Sequence, residues 1–299
     1  MKPLLYIFNS KKIFFGFFFS FFLVFIFSLI VNHIIKNSNY RLSKIYSTQS
    51  IESSIFFIGN SRSVPFTQEN LKTSKKILNL SNNSMDTFEV ENIIKAIKEK
   101  KKDNKTIYVE LTSLSSSDVQ CQYSIFYDLE FYFKKDKIQE KCKRQIFFEK
   151  FIPASKINNE LFYRILYYYF FPEKDQLWSN YYKMPESVCS NPKIGPFIEY
   201  LLSKEAETMM YKNSQSLLNK YSDNSTEILF FITPMYQSEN FALNIEEKFL
   251  QKKIKKNMIK LNSLINKDFF KNCEMFADTL HISINGLNVI KNSNIFNKF

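Results

Sequence analysis

The chain has 299 residues and a formal net charge of +12, from 41 Lys and Arg against 29 Asp and Glu. Its basic residues are spread along the chain without a nucleic-acid-binding motif, so we interpret them as solvated faces and exclude a nucleic-acid partner. Attraction to an anionic membrane surface or an acidic polymer stays open. With only 2 histidines and no cysteines at metal-ligand spacing, we expect neither a metal site nor a cofactor.

An apolar run without any charge covers residues 13–31, about the length that crosses a bilayer as a helix. It is longer than a typical signal-peptide core and no small-residue cleavage site follows it, which predicts an uncleaved membrane anchor. Three lysines precede the run, which favours residues 1–12 in the cytoplasm and the remainder in the periplasm or outside the cell, although Lys36 and Arg41 follow it. The polar residues 32–53 are predicted to be a tether.

Five short apolar runs bounded by turn residues predict strands. They cover residues 54–58, 77–80, 106–112, 228–233 and 273–277. Asp86 followed by Glu89 forms a capping-box pattern that starts a helix, whose apolar face runs from Val90 to Ile97. Further helices are predicted over residues 196–221, 242–265 and 286–299. The alternation of strands and helices predicts an α/β fold with a mostly parallel sheet.

Residues 118–195 interrupt this alternation. They are rich in Phe, Tyr, Lys and Glu and show no strand pattern, which predicts a helical insertion that forms a lid or a partner surface. The aromatic run 161–171 has helical spacing, and such a stripe is more often core than binding site. Sugar binding on exposed tyrosines or on Trp178 is the alternative interpretation.

The cysteines could form disulfides if the domain lies outside the cytoplasm. There are four of them, Cys121, Cys142, Cys189 and Cys273. Outside the cytoplasm an even number permits two disulfides, whose connectivity the sequence does not give. A bond from Cys121 to either Cys142 or Cys189 would close the insertion.

Three polar residues follow two of the predicted strands. Ser61 comes just after the first strand, and Asp278 and His281 come just after the fifth. Because the carboxyl ends of parallel strands lie at one edge of a sheet, the three side chains could meet in one crevice. A serine hydroxyl needs a base to become a nucleophile, and a carboxylate fixes the tautomer of a histidine base. The pattern therefore predicts a Ser-His-Asp triad, with an isolated turn serine and a surface histidine as the alternative.

The sequence resembles a known family at these positions. The Gly-Asn-Ser sequence at 59–61 and the Asp-Thr-Leu-His sequence at 278–281 are similar to the first and last blocks of the SGNH (GDSL-like) hydrolases and acyltransferases. Residues 79–84 are similar to the second block, and the resemblance covers residues 54–112 and 226–299. With its anchor, the chain most resembles the membrane-anchored branch, whose members act in O-acetylation of cell-surface polysaccharides or in D-alanyl transfer to teichoic acids.

The resemblance implies a three-layer, flavodoxin-like domain over residues 54–299. It implies that Ser61 is the nucleophile, that His281 is its base and that Asp278 orients the histidine. The oxyanion would be held by backbone N–H groups at Ser61 and near Ser84, the position where the family usually has glycine.

The chain departs from the family in two places. Asn60 stands where the family often has aspartate, and the third block, normally Gly-x-Asn-Asp, is missing at the end of the third strand. The side-chain oxyanion donor is then unassigned, and Thr112, Ser113 or Asn82 could replace it. Arg62, next to the nucleophile, could contact an anionic substrate group or form a structural salt bridge.

Together these features predict an extracytoplasmic serine acyltransferase or esterase, acting through an acyl-enzyme on O-acyl groups of a cell-surface polysaccharide. A periplasmic domain has no access to cytoplasmic acyl-CoA, and the resemblance suggests a membrane-bound O-acyltransferase as the partner that delivers the acyl group. The alternative is a non-catalytic, membrane-anchored binding or scaffold subunit of an envelope polysaccharide-modification complex, which the missing third block would suit.

Overall fold

The computed structural model describes most of the chain. The described residues are 10–46, 51–71, 73–116, 121–126, 140–171, 184–190, 196–201, 203–237, 239–250 and 254–292. They fall into two compact units: residues 1–47 with 121–172, and residues 48–120 with 173–299. We call the first the anchor unit and the second the sheet unit.

The sheet unit is built on four parallel strands. These are β1 (Ile55–Ile58), β2 (Ile77–Asn79), β3 (Lys105–Glu110) and β4 (Thr226–Phe231), in the order β2-β1-β3-β4. The chain steps from β1 to β2 on one side and then returns to place β3 on the other side of β1. Ligands of open α/β sheets bind at such a reversal, outside the carboxyl ends of the strands. The predicted α/β class with a parallel sheet is confirmed.

Helices surround this sheet. They are α3 (Gln68–Leu71), α4 (Thr87–Lys100), α7 (Glu186–Ser190), α8 (Pro196–Leu201), α9 (Lys204–Tyr221), α10 (Glu239–Leu250) and α11 (Ile284–Asn292). The α4 capping box is present as predicted, because Asp86 accepts from Glu89 N–H while the Glu89 carboxylate accepts from Asp86 N–H. Short 3₁₀ helices cover Ser61–Ser63, Leu111–Leu114, Lys255–Asn257, Asn262–Leu264, Lys267–Lys271 and Cys273–Met275.

Aromatic residues fill the core on one face of the sheet. Phe57 lies at its centre and stacks on Phe66 and Tyr108 at ring separations of 5.5 and 4.9 Å. Phe231 meets the Phe57 ring edge-on, and apolar residues of α3 and α11 close the cluster. The intervening strand residues, which face the opposite side, are also buried, so both faces of the sheet are covered, as a parallel sheet requires.

The anchor unit is helical in its described parts. It contains α1 (Ser10–Asn37), α2 (Arg41–Tyr46), α5 (Glu140–Phe151) and α6 (Glu160–Phe170), with 3₁₀ helices at Cys121–Phe126 and Pro153–Asn158. Residues 13–37 of α1 are long and apolar enough to span a membrane, because their most apolar 18-residue window has a mean hydropathy of 2.7 and is almost entirely exposed. Residues predicted as a tether thus include the end of α1 and all of α2.

The predicted fifth strand is wrong. Cys273–Met275 is a 3₁₀ turn, started by the Asn272 side chain accepting from Glu274 N–H, and only Phe276 forms an isolated bridge, to Ile282. The backbone of this segment bonds to its own loop, since Ser283 N–H donates to Met275 C=O at 2.9 Å. A short apolar run therefore leads into the loop without joining the sheet.

Two predicted helices are shorter than expected. The helix predicted over 242–265 ends at Leu250, because the chain folds back so that the buried Glu246 carboxylate accepts from Asn262 and Ser263. The helix predicted over 196–221 is divided into α8 and α9, and the Ser203 hydroxyl caps α9 by accepting from Ala206 N–H.

The disulfides also differ in part from the prediction. Cys189 is bonded to Cys273, which excludes the pairing of Cys121 with Cys189. Cys142 is disulfide-bonded as well. The side chain of Cys121 lies outside the described residues.

Candidate active site

Ser61 begins a tight turn directly after β1. The turn is capped by Asn60, whose Oδ1 accepts from Arg62 N–H at 3.1 Å. Gly59 is required where β1 ends, because a Cβ there would lie 2.6 Å from both Glu110 Cβ and Ser63 Oγ. The glycine lets the strand end pass close to β3 and sets the position of Ser61 at the carboxyl edge of the sheet.

His281 and Asp278 reach this edge from a compact loop. Ser61 Oγ lies 2.8 Å from His281 Nε2, and His281 Nδ1 lies 2.9 and 2.8 Å from the two Asp278 oxygens. Because a carboxylate can only accept, Nδ1 carries the proton and Nε2 presents its lone pair to the serine. Thus the structure brings together the three residues that the sequence singled out, in the order serine, histidine, aspartate.

The loop itself holds the aspartate in place. Asp278 Oδ1 also accepts from the backbone N–H groups of Leu280 and His281, at 2.7 and 2.8 Å, and Ala277 N–H closes the loop onto His281 C=O at 2.8 Å. Burial works to raise the pKa of Asp278, but the hydrogen bond and charge of His281, together with these N–H groups, hold that pKa below its ordinary value. The carboxylate therefore stays ionised beside the histidine.

A cavity of about 680 Å³ opens beside Ser61. Its lining comes from the loops after β1, β2 and β3, from the α8–α9 region and from the loop that carries His281, namely Asn60, Ser61, Arg62, Ser84, Met85, Asp86, Thr112, Ser113, Ser115, Ser116, Tyr200, Glu205, Met209 and Leu280. The position matches the reversal of strand order between β1 and β3. The cavity has the size of a small-molecule site and one reactive group at its edge.

Arg62, for which the sequence left open an anion contact or a structural salt bridge, forms a salt bridge in the interior. Its side chain is 1% exposed, and its Nη1 lies 3.3 Å from a Glu110 oxygen and 2.9 Å from Thr112 Oγ1. Its other terminal nitrogen donates to Thr233 C=O. Burial lowers the pKa of Arg62, and the charge of Glu110 opposes that shift. The Arg62–Glu110 pair joins the first turn after β1 to the end of β3 and so holds the turn that carries Ser61 in place.

The hydroxyl of Thr112 is not available to an oxyanion. It donates to the Glu110 carboxylate at 2.5 Å and accepts from Asn60 Nδ2 and Arg62 Nη1, which uses its single donor and both lone pairs. The Ser113 hydroxyl donates to Glu110 C=O, also at 2.5 Å. In this arrangement of side chains neither hydroxyl has a donor left for an oxyanion, so their role as the missing donor stays a prediction.

The two candidates after β2 differ in position. Asn82 is 2% exposed, its N–H donates to Gly59 C=O at 3.0 Å, and it does not line the cavity. Ser84 is exposed, lines the cavity and has a φ of 52°, the left-handed conformation that glycine adopts most readily. Within the described part of the chain, Ser84 N–H makes no hydrogen bond. Of the predicted oxyanion residues, Ser84 is thus the one whose N–H group is available to an oxyanion in the cavity.

Sequence reasoning missed several cavity residues. Asp86 was identified only as a helix cap, although its position in the loop after β2 could have indicated the cavity. Burial, the hydrogen bond to Glu89 and the Glu89 charge together raise the pKa of Asp86. Tyr200, whose hydroxyl donates to Ser115 C=O at 2.6 Å, and Glu205 come from the region after the predicted insertion, where no sequence signal marked them.

Comparisons with known proteins give little further information. No protein-family model matches the chain, and no curated protein matches it. A solved structure from Streptococcus pneumonia, provisionally described as a platelet activating factor, is similar with a TM-score of 0.44 and 15% sequence identity, over 91% of this chain and 97% of that chain. A likeness of this degree carries no argument about chemistry, which rests on the geometry of the residues around Ser61.

Proposed function

We propose that the protein is a serine esterase or acyltransferase whose nucleophile is Ser61. The observation that carries this proposal is the chain of hydrogen bonds from Ser61 through His281 to Asp278, at 2.8 Å for each link, at the edge of a cavity. A nucleophile bonded to a base that is oriented by a third group is the arrangement that activates a hydroxyl for covalent catalysis.

The proposed reaction has two halves. Ser61 Oγ attacks the carbonyl of an acyl ester while His281 Nε2 takes its proton, and Asp278 stabilises the imidazolium. The tetrahedral oxyanion is held by backbone N–H groups, with Ser84 N–H as one donor. The histidine returns the proton to the leaving alcohol, which leaves an acyl-enzyme on Ser61. A hydroxyl of an acceptor, or water, then attacks the acyl carbon with the same proton transfers in reverse order.

The proposed substrate is an O-acyl group on a cell-surface polysaccharide. The cavity wall includes Ser116 and Tyr200, whose hydroxyl oxygens can accept hydrogen bonds from the hydroxyl groups of a glycan. The apolar α1 helix and the Cys189–Cys273 disulfide support a location outside the cytoplasm. The proposal includes residues 1–12 on the cytoplasmic side, from the lysines before the helix, and a membrane-bound O-acyltransferase as the partner that delivers the acyl group.

Labelling with a serine-directed phosphonate tests the nucleophile. The full chain in detergent should be labelled at Ser61, and Ser61→Ala should abolish labelling. Ser116→Ala serves as the matched control, because it removes another hydroxyl from the same cavity and should leave the label at Ser61. Equal labelling of Ser61→Ala would contradict the assignment.

The engaged hydroxyls of Thr112 and Ser113 motivate a second hypothesis, a non-catalytic subunit of a polysaccharide-modification complex, because no side-chain oxyanion donor has been identified after β3. In cells, this hypothesis expects Ser61→Ala to preserve polysaccharide acylation. The esterase or acyltransferase hypothesis expects the same change to alter the acyl content of the polysaccharide, measured after mild base release.

A further inference from the structure

The anchor unit exposes a group of large apolar side chains that no part of the proposed reaction uses. They lie at the carboxyl ends of α5 and α6: Phe147, Phe148, Phe151, Ile152, Phe170 and Phe171, which are 42–63% exposed. We call these six residues the aromatic collar. Exposed apolar groups of this size mark an interaction surface when they occur together.

The 3₁₀ helix between α5 and α6 shows where the collar lies along the axis of α1. We call this position its height, counted upward from residue 10 to residue 37. Ala154 N–H donates to Ser28 Oγ at 3.1 Å, and Lys156 Nζ donates to Asn32 Oδ1 at 3.1 Å. This 3₁₀ helix therefore rises in the same direction as α1, starting beside Ser28. Ser28 lies within the apolar stretch 13–31, and it is 7% exposed where its neighbours face outward. Phe151, the last residue of α5, comes three residues before Ala154 and therefore lies near the level of Ser28.

Helix α6 gives an independent measure of height, because it runs in the opposite direction. Ser38 Oγ donates to Ile165 C=O at 2.7 Å, and four residues later the Tyr169 ring lies 6.2 Å from the His33 ring. The end of α6, with its two collar phenylalanines, therefore comes down to the end of the apolar stretch. The two ends of the collar therefore lie within about one helical turn of each other along α1, between about Ser28 and His33.

This level is the boundary of the hydrocarbon if α1 spans the bilayer. Ser28 lies three residues before the end of the apolar stretch, about 4.5 Å inside it at the rise of an α-helix. Above it, Lys156 contacts Asn32, the first polar residue of α1 after the apolar stretch, and Lys150 is exposed between the collar phenylalanines. Basic side chains beside an apolar surface suit anionic lipid headgroups.

We propose that the aromatic collar inserts into the lipid bilayer beside α1, in the leaflet on the carboxyl side of that helix. The collar then forms a second membrane attachment, which fixes the anchor unit at the bilayer surface. Lipid is the occupant that the heights indicate, because the collar lies at the level where the exposed apolar residues of α1 end, among them Phe25 and Leu29, which are 54% and 55% exposed. The proposal rests on the membrane location proposed above, and its test separates the two.

Depth-dependent quenching of tryptophan fluorescence can test this proposal. The full chain carries Trp178→Phe to remove the native emission, and it is reconstituted in vesicles of phosphatidylcholine and phosphatidylglycerol brominated near the top or near the end of the acyl chains. Phe170→Trp and Tyr163→Trp form a matched pair, because both sites are on α6, are 63% and 65% exposed, and differ in height by about 10 Å at the rise of an α-helix.

We expect bromines near the top of the acyl chains to quench the Phe170→Trp and Phe151→Trp chains several-fold more than the Tyr163→Trp chain. Phe22→Trp, in the middle of the apolar stretch, reports α1 itself and should be quenched by the deep bromines. If Phe22→Trp is quenched and the collar sites behave like Tyr163→Trp, the collar does not enter lipid; a partner protein would then be its occupant, and the proposal is wrong. Absence of quenching at Phe22→Trp would overturn the membrane location and the collar together.

Discussion

Asp278 acts on both the loop and the histidine. Its Oδ1 accepts from two backbone N–H groups, and both of its oxygens face His281 Nδ1. Asn at this position keeps the shape but presents an amide group to the ring. The ring would then favour the tautomer with its proton on Nε2, which cannot accept a proton from Ser61.

We therefore expect Asp278→Asn to reduce the rate of acyl-enzyme formation by roughly 10³–10⁴-fold. The rate is measured with an activated ester, or as the rate of phosphonate labelling, with unfolding temperature as the check on folding. Asp268→Asn, at an exposed aspartate, is the control and should leave the rate unchanged. A normal rate in Asp278→Asn would show that the loop acts without the carboxylate.

Asp86 gives a prediction about pH. Its pKa in the folded chain is raised, so above the ordinary aspartate pKa of about 3.9 the unfolded chain loses a proton that the folded chain keeps. The free energy of unfolding therefore falls as the pH rises from about 4 towards the raised value, by up to about 1.4 kcal/mol per pH unit. Glu89 is the charged group that faces Asp86 within the capping box.

In Asp86→Asn, the amide Oδ1 still caps α4. Because an amide does not titrate, this site no longer lowers the free energy of unfolding as the pH rises. We expect its free energy of unfolding to exceed that of the natural chain by a margin that grows between pH 5 and pH 8. Denaturant unfolding in detergent at several pH values measures the margin. Asp103→Asn, at an exposed site, should give a curve parallel to the natural chain. A constant margin for Asp86→Asn would mean that Asp86 is ionised in the folded state.

Sequence alone predicted the meeting of Ser61, Asp278 and His281 but not the roles of their neighbours. The aspartate and histidine are three residues apart, so one loop brings them together, and the strand-end rule places Ser61 at the sheet edge. The engagement of Thr112 depends on Glu110, Arg62 and Asn60, which reach it from two strand ends. Local pattern carries no information about a hydrogen bond between residues 50 positions apart.

At the scale of elements, Gly286 sets the position of the loop that carries Asp278 and His281. A Cβ at Gly286 would lie 2.1 Å from Met275 C=O oxygen, because the first turn of α11 packs on the backbone of that segment. The same contact is held by Ser283, whose hydroxyl donates to Glu274 C=O at 2.5 Å and whose N–H donates to Met275 C=O. The loop that carries Asp278 and His281 lies between these two segments.

Gly286→Ala should therefore force Met275 away and shift His281 from Ser61. We expect a loss of stability of about 1–3 kcal/mol, as for overpacking, and a fall in rate of up to about 10²-fold if the shift approaches 1 Å. Gly16→Ala is the control, since a Cβ there meets nothing within 4 Å. A normal rate in Gly286→Ala would show that the loop tolerates movement of α11.

The sequence predicted an element correctly where local signals were enough to identify it. The α4 helix has a cap, a capping box and one apolar face, and all three are present. The segment 273–277 has a strand-like composition, but its backbone groups are bonded within its own loop and to Met184 N–H, and no propensity rule shows that. Likewise, α10 ends at Leu250 because a buried glutamate binds a later segment, which is a tertiary contact.

At the scale of the whole molecule, the sequence predicted an insertion but not the unit to which it belongs. Residues 121–172 share a unit with residues 1–47. Their core includes Val31 and Ile35 from α1 and Leu42 and Ile45 from α2, each no more than 5% exposed. The helix predicted as the membrane anchor therefore also contributes to the folded interior of residues 121–172, which composition alone cannot show.

Removing the anchor should consequently unfold the insertion. Burial of an apolar side chain contributes about 1.5–3 kcal/mol, so the loss of these four is comparable with the whole stability of a domain, about 5–15 kcal/mol. A chain that begins at residue 48 should be cleaved rapidly by trypsin within residues 121–172, as read by mass spectrometry. It should still be labelled at Ser61, because the residues around Ser61 belong to the sheet unit.

A chain that begins at residue 24 is the matched control for this truncation. It loses only the part of α1 whose described side chains are exposed and keeps the buried residues from Val31 onward, so residues 121–172 should stay protected in detergent. Equal protection in the chain from residue 48 would show that the insertion folds without α1 and α2. Loss of the Ser61 label in that chain would instead show that the sheet unit depends on the anchor unit.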